Sequence, residues 1–251
     1  MRIVGVLDLA AGRAVHARAG VRERYLPVTT IAGSRIEPGD ALALATAYLD
    51  QFGLSELYAA DLDAIAARGA QDTLVAALIR LGAPVWLDAG VSSADQARHA
   101  RDLGAATVVA GLETLQSYDA LAEICREAGA APVALSLDLR SGRPVCAFPN
   151  ADPPEVVAAR AADAGVQAVI VIDLARVGMN VGLDLELIGR LRTAVPAVTL
   201  VAGGGIRGPE DLSRLGDAGC DGALVATALL EGRLSAADLA AARSRQPSAM
   251  R

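Results

Sequence analysis

The residues able to do chemistry cluster where apolar runs of this chain stop. Val201-Ala202-Gly203-Gly204-Gly205-Ile206-Arg207 is such a run, ending in three glycines and followed by a helical pattern from Pro209. Leu224-Val225-Ala226-Thr227-Ala228-Leu229-Leu230 repeats the arrangement, with Ala226 and Thr227 at the stop. Small residues where a strand gives way to a helix let an anion approach the backbone; unbonded N–H groups there point at it, and the helix dipole favours negative charge. Three glycines alone would equally serve a tight turn, because glycine reaches positive φ without steric cost. Two such turns on adjacent parallel strands form one cup of donors, and phosphate is its natural occupant. Gly203, Gly204, Gly205, Ala226 and Thr227 are therefore the candidate phosphate ligands.

The second set is acidic. Asp8 and Asp138 stop two matched runs, Leu7-Asp8-Leu9…Gly12-Arg13 and Leu137-Asp138-Leu139…Gly142-Arg143. Asp61 and Asp173 stop another matched pair, Ala60-Asp61-Leu62 and Ile172-Asp173-Leu174. An aspartate there is either a proton-transfer group or a turn and cap residue. For Asp61, Asp63 and Asp173, active-site lining and loop bonding read equally well. Asp88 and Glu113 fall near the ends of two further runs, and His16 and Arg176 lie in loops on the same side. All are candidates to touch a substrate.

These residues need a frame that brings strand ends together. Short apolar runs alternate with helical patterns along the chain. Strands are expected at Ile3–Leu7, Glu56–Ala60, Pro84–Leu87, Thr107–Ala110, Pro132–Leu137, Ala168–Ile172, Val198–Ala202 and Gly222–Val225. Helices are expected between them, with Asp40 and Ser92 or Ser93 as N-caps and glycines such as Gly104 at the C-termini. Such alternation means βα units and parallel strands, and eight units point to one closed (β/α)8 TIM barrel over residues 1–251. An open doubly wound sheet is the other solution. The matched runs indicate a half-barrel used twice, about 1–130 and 131–251; Asp88-Ala89-Gly90-Val91 falls opposite Gly203-Gly204-Gly205-Ile206, and Gly111-Leu112 opposite Ala226-Thr227. Two long loops follow strands one and five, Ala10–Gly39 and Leu139–Pro153. Loops at this face carry function, and long ones act as lids.

Composition excludes several classes. With 251 residues, 53% hydrophobic and 21% charged, the chain can bury a large core. A net charge of −6 and 3% aromatics disfavour nucleic acid. Cys125, Cys146 and Cys220 are odd in number and widely spaced, which reads as reduced intracellular thiols. No run is long enough to span a bilayer and no signal peptide is evident, so a cytoplasmic protein is expected. His16 and His99 form no metal or nucleophile motif, and no dinucleotide fingerprint is present, so neither a metal nor a cofactor is expected. The oligomeric state is not legible.

The paired Leu-Asp-Leu runs, Ala60-Asp61-Leu62-Asp63 and Ala202-Gly203-Gly204-Gly205-Ile206-Arg207 together resemble the histidine-biosynthesis barrel family. That family includes the isomerase that rearranges a phosphoribosyl-formimino-aminoimidazole carboxamide ribonucleotide (ProFAR) and the related imidazole glycerol phosphate cyclase. The resemblance covers nearly the whole chain. It implies a barrel, a phosphorylated small-molecule substrate and an Amadori rearrangement. In that reaction Asp8 is the base at C2 and Asp138 the acid at the ring oxygen. It also implies a glycine-rich phosphate turn in each half. Here the chain departs: the first-half turn reads Leu87-Asp88-Ala89-Gly90-Val91-Ser92, and its partner carries Glu113. Carboxylates beside a phosphate dianion cost on the order of 1–4 kcal/mol. That end therefore suits an amine, a hydroxyl-rich group or a cation, unless Asp88 pairs with an arginine of the chain. On strand six, Ile172 stands where the family has threonine, and Val177-Gly178-Met179 replaces Asp-Gly-Thr. These changes resemble a divergent branch found beside one-carbon cofactor (methanopterin or methanofuran) pathways. Four functions stay open: an isomerase with a changed substrate and one phosphate site, ProFAR isomerase itself, a one-carbon cofactor enzyme, or a non-catalytic phosphate-binding subunit.

Overall fold

The computed structural model describes residues 1–149, 151–179 and 181–244. Eight parallel strands follow one another around a closed barrel: β1 (Arg2–Ala10), β2 (Leu57–Asp61), β3 (Val85–Asp88), β4 (Thr107–Gly111), β5 (Val133–Arg140), β6 (Ala168–Asp173), β7 (Thr199–Gly203) and β8 (Gly222–Val225). Each pairs with the next. The ring closes between β8 and β1, with Arg2 opposite Gly222 and Gly5 opposite Val225. Closure excludes the open sheet and removes both edges.

Among the described residues eight longer helices cover the barrel: α1 (Ala41–Asp50), α2 (Asp72–Ile79), α3 (Ala94–Leu103), α4 (Tyr118–Glu127), α5 (Pro154–Asp163), α6 (Leu185–Ala194), α7 (Pro209–Asp217) and α8 (Ala236–Ser244). Their starts are built by side chains. Asp40, Ser93, Ser117 and Asp184 each accept a bond from an otherwise unpaired N–H of the first turn. Gly104 ends α3 at φ 104°, where a side chain would be strained.

The strands are apolar on both faces because both are buried. Val4, Tyr58, Trp86, Val109, Ile170 and Leu224 pack inside the ring. A larger layer, including Leu7, Leu44, Leu87, Leu135 and Leu200, lies between ring and helices. The interior is thus filled by these side chains, and a cavity lies near the C-terminal strand ends.

Two expectations need correction. The chain after β1 does not enter a loop at Ala10. It turns at Ala11 (φ 49°) and Gly12 (φ 75°), and Arg13–His16 pairs back antiparallel on β1. The chain after β5 does the same at Ser141 (φ 53°) and Gly142 (φ 75°), and Arg143–Pro144 pairs back on β5. Paired positive φ values are the signature of the two-residue hairpin whose twist matches the strands. Asp8 and Asp138 therefore lie inside extended strands rather than at their ends.

Candidate active site

A cavity of about 290 Å³ opens at the C-terminal mouth of the barrel. Its lining includes Asp8, Asp88, Glu113 and Asp138, together with Arg22, Tyr58 and the turns after β7 and β8. Asp8 is held by Ala60 of β2 on one side and Val15 of the hairpin on the other. Asp138 is held by Ile172 of β6, and its carbonyl accepts from Val145 N–H of the second hairpin at 2.8 Å. Both carboxyls face the same cavity from opposite halves.

Their surroundings shift them far from ordinary aspartates. Burial pushes Asp8 up to about 7; Arg22 pulls against that shift and Asp88 adds to it. Burial also pushes Asp138 to about 7, reinforced by the negative charges of Glu113 and Asp88, while a bond from Ser136 Oγ opposes it. Asp88 rises to about 6 through burial, opposed by a 2.8 Å bond from Tyr58 Oη. Carboxyls that titrate near neutrality can give or take protons at working pH.

The mouth has two corresponding ends that differ in their backbone. After β7, Gly204 (φ 81°) and Gly205 (φ 97°) turn the chain, and a Cβ on Gly205 would lie 2.5 Å from the Gly182 carbonyl oxygen. Among the described residues, the N–H groups of Gly205 and Thr227 have no acceptor. In the first half the matching groups are spent. Gly90 N–H bonds Asp88 Oδ1 at 3.3 Å, and Leu112 N–H bonds the Ser136 carbonyl at 3.0 Å. Asp88 thus fills its own turn with an internal anion.

The sequence pattern of the histidine biosynthesis protein family matches residues 2–235. The chain belongs to this family. Relatives within it are named 1-(5-phosphoribosyl)-5-((5-phosphoribosylamino)methylideneamino)imidazole-4-carboxamide isomerase, which is ProFAR isomerase. The protein of Thermus thermophilus is 32% identical over 93% of this chain and 96% of its own length. That of Deinococcus radiodurans is 30% identical over 93% and 95%. That of Stenotrophomonas maltophilia is 33% identical over 92% and 95%.

Within this family member the candidate residues divide. Gly203, Gly204, Gly205, Ala226 and Thr227 line the cavity, as do Asp8, Asp88, Glu113 and Asp138. His16 lies beside them, its Nε2 2.9 Å from Thr227 Oγ1; burial lowers its pKa, which favours the neutral ring. Besides His16, three candidates stand outside the cavity lining: Asp61, Asp173 and Arg176. Asp61 is buried as the cap of the short helix Leu62–Ile65, accepting from Asp63, Ala64 and Gln71 N–H groups and from Gln71 Nε2. Its partner Asp63 accepts from Ala11 N–H at 2.6 Å and so anchors the hairpin tip. Asp173 and Arg176 pair with each other at 3.0 Å behind the glycine turn, and Arg176 also reaches the Gly182 carbonyl. In each case a strand-end position holds a side chain whose bonding capacity loop backbone and neighbouring side chains occupy.

The sequence reading missed Arg22, Tyr25, Tyr58 and Arg140, which also line the cavity. Arg22 belongs to a single helical turn, Arg22–Arg24, in the first loop, and its guanidinium contacts Glu113 at 2.6 Å. Asp88 does not take an arginine partner; Tyr58 and Gly90 satisfy it. The run Arg22-Glu23-Arg24 was the available signal for Arg22, and the interior-facing period of β2 was the signal for Tyr58. Among the described residues no group of three or more His, Cys, Asp and Glu side chains could hold a metal ion. No helix among them is long and apolar enough to cross a membrane.

Proposed function

We propose that this protein is an isomerase that acts on a phosphoribosyl or sugar-phosphate compound by acid–base chemistry of the Amadori type. The observation that carries the reading is the pair Asp8 and Asp138, facing one cavity from opposite halves, each titrating near 7 beside a turn with unbonded donors. The names of the relatives supply the reaction class.

The two aspartates divide the work by their neighbours. After burial, the largest influence on Asp8 is the cation Arg22, which favours its ionised form. After burial, the largest influences on Asp138 are Glu113 and Asp88, which favour its protonated form. Asp138 then protonates the ring oxygen of an aminoaldose. The C1–O bond breaks and the nitrogen lone pair forms a C1=N bond. Asp8 removes the proton from C2, and the resulting enolamine tautomerises to the aminoketose. Gly204, Gly205, Ala226 and Thr227 hold one phosphate, with neutral His16 orienting the Thr227 hydroxyl. Remote binding of this kind positions the reacting carbons.

A cytoplasmic setting fits the thiols of Cys125 and Cys220, which burial raises to about 11 and about 12 and so keeps unreactive.

The relatives' name favours ProFAR itself as substrate; the self-filled first-half turn favours a changed one. Turnover of ProFAR by purified protein, followed in absorbance beside an established isomerase, separates them. Turnover abolished by Asp8→Asn assigns ProFAR. No turnover, with a sugar monophosphate still bound, assigns a different substrate to the same machinery. A protein that neither turns over ProFAR nor binds any phosphate compound ends the proposal.

A further inference from the structure

The first-half end of the mouth holds features a phosphate site would not. Two of its backbone donors are consumed: Asp88 Oδ1 accepts from Gly90 N–H, and the Ser136 carbonyl takes Leu112 N–H. The groups left facing the cavity are the acceptors of Asp88 and Glu113. The one ligand-like group lying there is a cation. Arg22 is carried in from the first loop, and its guanidinium contacts Glu113 Oε1 at 2.6 Å. Its side chain is 36% exposed and that of Glu113 22%, so the pair is accessible to solvent and readily exchanged. The end therefore combines a fixed carboxylate, a second carboxylate bound by a displaceable guanidinium, and protein acceptors on the two N–H groups, of Gly90 and Leu112, that match the unbonded ones of Gly205 and Thr227.

We propose that this end binds a cationic or N–H-rich group of the substrate, whose seat Arg22 fills in the empty protein. The substrate is then a monophosphate: its phosphate lies on the turns after β7 and β8, and its far end carries an amine, amidine or amino-heterocycle against Glu113 and Asp88. This rests on the reading of Gly204–Gly205 as a phosphate turn. It accounts for the asymmetry of the mouth, because a second phosphate would meet two carboxylates and would find the Gly90 and Leu112 N–H groups already bonded. A positive group instead gains a charge-assisted bond when it replaces the arginine.

Three flexible probes that differ only at one end test it: hydroxyhexyl phosphate, aminohexyl phosphate and hexanediol bisphosphate, titrated calorimetrically at low ionic strength. The aminohexyl probe is expected to bind about tenfold more tightly than the hydroxyhexyl probe, the size of one partly screened charge pair. The bisphosphate is expected to bind more weakly than either. Glu113→Gln and Asp88→Asn keep shape while removing charge. Each should shrink the amine preference several-fold and leave hydroxyhexyl phosphate unchanged, which also shows that the variant is folded. Equal or tighter binding of the bisphosphate overturns the inference, as does an amine preference that survives both substitutions. If hydroxyhexyl phosphate binds and is displaced by inorganic phosphate but no amine preference exists, this inference fails and the phosphate turn stands. If none of the probes and no inorganic phosphate binds, both fall together.

Discussion

The two ends of the mouth occupy matched positions in the barrel and differ in their charged side chains and in whether two matched backbone donors are spent. After β7 and β8 the N–H groups of Gly205 and Thr227 have no acceptor among the described residues, and small residues keep the approach clear. At the matched positions Gly90 and Leu112 have protein acceptors. A side chain of four heavy atoms beyond Cα makes much of the difference: Asp88 puts an anion where the other half leaves a space for one. A nest of N–H groups is thus specific for anions only while nothing in the chain satisfies it.

The sharpest way to break the comparison is at the acids shared by both ends. Asp8→Asn and Asp138→Asn should each lower turnover by about 10²–10⁴-fold, the usual worth of a positioned acid or base, with phosphate binding retained. Steady-state rates beside phosphate titrations check this; turnover that survives both changes would remove the acid–base assignment.

Backbone substitutions come next. A Cβ on Gly205 meets the Gly182 carbonyl oxygen at 2.5 Å, and one on Gly90 meets Ile65 Cα at 2.8 Å, both at positive φ. Gly205→Ala and Gly90→Ala should each destabilise by about 1–3 kcal/mol. Only Gly205→Ala should weaken inorganic phosphate, by roughly tenfold or more. Equal loss in both would mean that the two turns contribute alike.

The pH dependence of stability probes both ends at once. Asp8, Asp88 and Asp138 titrate at about 7, 6 and 7 in the fold and at 3.8 in the unfolded chain. Between these values the folded state holds protons that the unfolded state has lost, so stability falls as pH rises from 4 to about 7 and is flat above. The change should be on the order of 2 kcal/mol, because the three share one charge balance and cavity solvent screens them. Chemical denaturation between pH 5 and pH 8 measures it. Asp138→Asn should flatten the slope, and a slope of opposite sign would contradict the burial of these carboxyls.

The smallest effect is expected at His16. Its ring bonds the Thr227 hydroxyl, so His16→Ala should weaken phosphate by a few-fold, about 0.5–1.5 kcal/mol, at pH 7. Binding at the first-half end should not respond to that change.

The barrel was legible because its strands are short apolar runs separated by capped amphipathic helices, and both signals are local. The caps Asp40 and Ser93 could be read for the same reason. The acids and glycines of the cavity were legible through duplication, which marked Asp8 with Asp138 and Gly90 with Gly205. Duplication could not tell a side chain that faces the cavity from one that ties a loop. Asp61 and Asp173 occupy matched strand ends, and their carboxylates bond a cap, Gln71 and Arg176 instead. Arg22 was missed because its partner Glu113 is far away in sequence and meets it only through the folded first loop. The hairpins were read as loop because Ala11 and Ser141 are uncommon residues for positive φ.

The hairpins on β1 and β5 have a consequence for how such an enzyme changes over time. They clamp Asp8 and Asp138 between neighbours on both sides, so the two acids proposed to move protons ride on strands that are paired along both edges. His16 and Arg22, which meet the two ends of the mouth, ride on one continuous segment outside the ring of eight strands. Position and tuning are therefore carried by different parts: exchanging that one segment would leave both acids in place on their strands, but would change what the mouth meets and, through Arg22, the ionisation of Asp8 at the same time.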